Sequence, residues 1–132
     1  MVLFREIERG NEMSKKERIE KFLRILKIEI EDIQHDISSV IDIYEDREEK
    51  GEITEYVFRE NIGTLKREII GVQQVLRSFE TFDFEQYDDL DAMIQDVRQK
   101  MREKLEGAEY EKVLNNIIDR KIEKLTRYIN ET

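Results

Sequence analysis

Cysteine and proline are both absent from the 132 residues, and each absence closes off possibilities. Without thiols there is no disulfide framework, zinc–thiolate centre or iron–sulfur cluster, and a cytoplasmic location is expected. Without proline, nothing breaks a helix from within. Tryptophan is also missing, histidine occurs once and glycine five times. No apolar run approaches the roughly 18 residues of a membrane span and no stretch reads as a signal peptide, so no membrane association is expected. An excess of positive charge is lacking as well. The 23 Lys and Arg against 32 Asp and Glu leave a net charge of −9, which argues against nucleic acid as a partner.

What the chain does have is phased apolar residues. Ile19, Leu23, Leu26, Ile30, Ile33, Ile37, Val40 and Tyr44 follow one another at alternating steps of four and three. Phe58, Ile62, Leu65, Ile69, Val72, Leu76 and Phe79 repeat the pattern. That alternation keeps one side of a helix apolar turn after turn and specifies long helices packed lengthwise. With 42% charged residues the chain has the composition of many disordered proteins, but disorder does not impose such phasing.

The expected fold is all-α: an elongated antiparallel up-down bundle of four main helices, about 15–50, 55–80, 84–106 and 109–130. Residues 1–12 form an N-terminal segment with a short helix, and residues 13–132 a single bundle domain. Ser14 and Glu17 are spaced as a capping box, and Gly51 can end the first helix in the left-handed region. Thr54 is the expected N-cap of helix 2, with Ile53 and Phe58 as its hydrophobic staple. Asp83 and Gln86 are a capping pair expected to open helix 3, whose stripe is Tyr87, Leu90, Ile94, Val97, Met101 and Leu105. Helix 4 turns Tyr110, Leu114, Ile117, Ile118, Ile122, Leu125 and Ile129 inward. An alternative arrangement packs three helices and lets part of helix 1 project towards another subunit. Gly63 and Gly71, inside helix 2, suggest close approach of another backbone.

Helix 1 carries charge against its own dipole, basic from Lys15 to Lys27 and acidic from Glu45 to Glu49. Up-down packing would set its basic start beside the acidic start of helix 3, and its acidic end beside the basic end of helix 3. An antiparallel second copy of helix 1 would match equally. Phe22, Ile25 and Ile28 broaden the apolar surface of its first half and are the candidate interface residues of a homodimer.

Two candidate chemistries stand beside this. His35 lies about 160° from the Ile37 line of the helix 1 wheel, away from the stripe. The stretch Gln34-His35-Asp36-Ile37, followed by a second long helix, resembles the dimerisation and phosphoacceptor hairpin of sensor histidine kinases over residues 30–80. The resemblance implies His35 as phosphoacceptor and pairing of two hairpins. Ser38, Ser39 and Val40 depart from that family's pattern. Glu45-x-x-Glu48 and Glu85-x-x-Asp88 place carboxylates at a spacing able to take magnesium, as paired acidic helices do in all-α nucleotide pyrophosphohydrolases. In an up-down bundle these two pairs fall at opposite ends. With no catalytic or metal-binding constellation and no cofactor implied, the sequence reads as a non-enzymatic, self-associating interaction protein.

Overall fold

A computed structural model describes residues 14–107 and 111–131. It contains four α-helices and, among the described residues, no strand. They are α1 (Lys15–Glu49), α2 (Glu55–Glu80), α3 (Leu90–Leu105) and α4 (Glu111–Glu131), with a 3₁₀ turn at Phe84–Gln86 before α3. The all-α bundle expected from the stripes is what forms. The short N-terminal helix and the inward Tyr110 fall outside the described residues.

Capping chemistry sets most of the boundaries. The Glu17 amide donates to Ser14 Oγ at 3.1 Å and the Val57 amide to Thr54 Oγ1 at 3.2 Å. At the other end of α1, Gly51 takes φ +71°. There the Glu52 amide donates to the Arg47 carbonyl and the Gly51 amide to that of Glu48. These crossed bonds satisfy the last carbonyls of the helix and turn the chain back within a few residues.

The start of α3 differs from expectation. The Asp83 carboxylate accepts from the amide two residues on, that of Glu85, which closes a tight turn. Tyr87 then stacks on Phe82 with ring centroids 5.6 Å apart, drawing the chain off any helical path. Asp89 supplies the working cap, accepting from the Ala92 amide at 2.8 Å, and the helix proper begins at Leu90.

Contacts between helices fix the topology. Lys121 Nζ on α4 lies 2.8 Å from Glu29 Oε2 on α1, and Lys21 Nζ stands 5.2 Å from the centre of the Tyr128 ring. Residues rising along one helix thus meet residues falling along the other, so α1 and α4 are antiparallel. Arg98 and Arg102 both reach Asp119, which sets α3 beside α4. Arg98 also reaches Glu123, one turn farther along α4, and this order makes α3 and α4 antiparallel. The core joins Ile19, Phe22, Leu26 and Ile30 of α1 to Val72 and Val75 of α2, and to the inner faces of α3 and α4. Met93, outside the expected stripe, is fully buried with them.

Unequal lengths leave part of the hairpin uncovered. At 1.5 Å per residue α1 is about 52 Å long, whereas α3 and α4 are about 24 and 31 Å. The core therefore stops near Ile33 on α1 and starts near Val72 on α2. Beyond it the two helices continue as an arm with the Gly51 turn at its tip. Ile41 and Ile62 are buried there, outside the main core cluster. α1 thus outruns α3, and the acidic end of α1 does not meet the basic end of α3 as expected. The opposite ends do meet: Lys16 Nζ lies 3.5 Å from Glu85 Oε1, though both groups are well exposed. At such exposure the pair contributes little to stability.

Candidate interaction surface

The candidate interface residues have three separate fates. Phe22 is completely buried among the chain's own helices and cannot meet a second chain, so its assignment to an interface is corrected. On the helix wheel it sits about 60° from Ile19 and about 40° from Leu26, so it belongs to the widened core side. Ile25 is half-buried and packs against the core from the α4 side. Ile28 is 50% exposed.

Ile25 belongs to a groove between α1 and α4. Its floor is Ile25, Ile117, Leu125 and the ring of Tyr128, and its rim is Arg120, Lys121, Lys124 and Glu29. Ile28 stands one turn from Ile25, and Val113 one turn from Ile117. Both are more than a third exposed, as is Tyr128. Apart from the arm, these are the large hydrophobics most exposed among the described residues, and all three flank this groove. Three cations against Glu29 give the rim a positive surplus in a chain of net charge −9. Sequence reasoning missed α4's share of the surface, although Arg120, Lys124 and Tyr128 are spaced by four and so share a face.

The arm presents a second apolar surface of opposite charge. Val40 and Ile43 of α1 and Tyr56, Val57 and Ile70 of α2 are exposed, Tyr56 by 74%. From Asp36 to Glu55 the chain carries eight acidic residues and two basic ones. Of the exposed apolar residues only Val40 continues an apolar stripe; the others lie on sides of the arm that no further helix of the described residues covers.

His35 is exposed on the outer side of α1, and its carbonyl accepts from Ser39 Oγ at 3.1 Å. Exposure is what a phosphoacceptor needs, and it is also the ordinary state of a surface histidine. The two acidic pairs do not converge. Glu85 sits at the start of α1 through Lys16, whereas Glu45 and Glu48 lie roughly 43 and 48 Å farther along that helix. Among the described residues no three His, Asp or Glu side chains are placed to hold one metal ion.

A polar cluster clasps the α2–α3 loop onto α3. The Tyr87 hydroxyl donates to Asp96 Oδ2, and Lys100 Nζ lies 3.3 Å from the same oxygen and 4.6 Å from the centre of the Phe82 ring. The phenol's hydrogen bond holds the Asp96 carboxyl below its ordinary pKa, against partial burial. Burial first, and then the Asp96 bond, push the Tyr87 phenol up. For Lys100 burial works against the charged form, but the Asp96 bond and the neighbouring charges outweigh it and the pKa rises. Near neutral pH the carboxylate is therefore ionised and the phenol protonated. Neither is poised as an acid or base for catalysis.

No helix among the described residues is long and apolar enough to cross a membrane. Comparison of the chain with protein-family models, with curated proteins and with solved structures gives no match.

Proposed function

We propose that this chain is a non-enzymatic cytoplasmic interaction protein, a scaffold or regulator that works through helix-on-helix contacts and pairs with a second copy of itself. One observation carries the reading. The hairpin of α1 and α2 outruns the two helices that cover it, leaving Val40 and Ile43 exposed one turn apart on the open side of α1. Apolar residues repeated along one helix face are what a further helix buries, and such groups are uncommon on the surface of a monomer. The polar clusters support the same reading, because they are ion pairs along or between helices, half-buried at Arg98 and Asp119, or the Tyr87 clasp, neither of which is arranged to polarise a substrate.

The test is a pair of substitutions on the arm. Val40→Lys with Ile43→Lys should leave the helical circular dichroism intact and convert a dimer to a monomer by sedimentation velocity. A variant that keeps the sedimentation coefficient of the wild type would rule out the exposed face of α1 as a contact surface.

A further inference from the structure

The two surfaces described above fit each other. We infer that two copies of this chain pair antiparallel along α1, the acidic arm of each lying in the basic α1–α4 groove of the other, an inference that rests on the self-association reading.

The open face of α1 carries apolar residues at two places, Ile25 and Ile28 beside the groove and Val40 and Ile43 on the arm. The two pairs are equally far in sequence from about residue 34. A two-fold axis crossing α1 there exchanges them, so one patch serves both copies and the assembly closes at two. The lengths permit it as well. Lys121 meets Glu29, so α4, which begins ten residues before Lys121, reaches about the level of Ser39. The groove from Lys21 to Ser39 is then roughly 27 Å long, and the uncovered stretch of α1 from Ser39 to Glu49, roughly 15 Å, fits within it.

Charge selects this pairing over its rivals. Arg120, Lys121 and Lys124 line one half of the joint surface, and Asp36, Asp42 and Asp46 lie along the other. Antiparallel pairing sets each half against its opposite. A parallel pair of α1 helices, or two arms packed on each other, would oppose acidic stretches and cost free energy through like-charge repulsion.

The test is a charge swap between two full-length variants. One carries Arg120→Glu and Lys124→Glu in the groove, the other Asp42→Lys and Asp46→Lys on the arm. All four side chains are exposed, so helix content should be kept. Each variant alone should dimerise at least about tenfold more weakly than the wild type, because both of its contacts now oppose like charges. An equimolar mixture should recover a heterodimer near wild-type affinity, since one of its two contacts again joins opposite charges in both halves and the other joins them reversed. Should either variant lose helix content, the wild type supplies an independent reading: its dimer should weaken as salt rises from about 0.05 to 1 M. A monomeric wild type at about 100 µM overturns both this pairing and the self-association reading. So does a monomer whose Ile25 and Ile117 signals move on removal of residues 1–13, which would give the groove to that segment. A dimeric wild type whose variants pair as it does, or whose affinity ignores salt, overturns the docking surface alone.

Discussion

Gly63 lies in the interior of α2, and a Cβ built on it would meet only the tip of the Arg67 side chain, at 3.5 Å. No neighbouring backbone approaches within 4 Å, contrary to the close contact its helical position suggested. Glycine there costs backbone entropy without any packing return, so Gly63→Ala should stabilise the chain by up to about 1 kcal/mol in urea denaturation. Tyr87, Asp96 and Lys100 give a pH dependence with a definite sign. Asp96, held below its ordinary pKa, contributes stability above about pH 4 that is lost as pH falls through its lowered value. Tyr87 and Lys100, both raised, contribute stability below about pH 10 that is lost as pH climbs through their raised values. Tyr87→Phe should return the Asp96 carboxyl towards the ordinary range in a carbon-detected NMR titration. An unchanged Asp96 midpoint would show that the phenol is not what holds it down. The spacing of Phe82 and Tyr87 was that of a hydrophobic staple, and the two rings do stack. The reach of Tyr87 to Asp96 was not legible, since they are nine residues apart and meet only because the loop folds back.

At the scale of elements, the two faces of α1 respond differently to substitution. Phe22→Ala removes a completely buried ring and should cost roughly 3–5 kcal/mol of stability. Ile28→Ser, at a half-exposed position, should change the stability of the isolated subunit by well under about 1 kcal/mol while weakening self-association. Urea denaturation at fixed, low protein concentration separates the two, because the linked dimer term is then small. The helix ends were legible where one residue had no competitor, as with Ser14, Thr54 and Gly51. The start of α3 was not, because Asp83 and Asp89 are both competent caps and the choice depends on where Tyr87 packs. Asp89→Ala should accordingly cost about 1 kcal/mol, the usual loss for an N-cap, with the helix start fraying in amide exchange. Phe22 was misassigned for a related reason. The stripe defines a line along α1, but a helix enclosed by three others buries a sector wide enough to take in the residue beside that line.

For the whole molecule, the fold class followed from periodicity alone, while the assembly depends on how helices of unequal length overlap. The lengths of α1 and α4 were both readable. What they leave uncovered depends on their register, set by contacts such as Lys121 with Glu29 and Lys21 with Tyr128, which join residues about a hundred positions apart. Antiparallel pairing of α1 with its own copy sets distances that can be measured. Because the chain has no cysteine, a single introduced thiol can carry a spin label without competition. Dipolar distances between labels on the two copies then read the pairing directly. His35→Cys, beside the expected two-fold axis, should give a distance of about 25 Å or less. Glu49→Cys, fifteen residues from that axis, should give about 45 Å. No dipolar coupling between copies, or the same short distance at both positions, would contradict the antiparallel dimer.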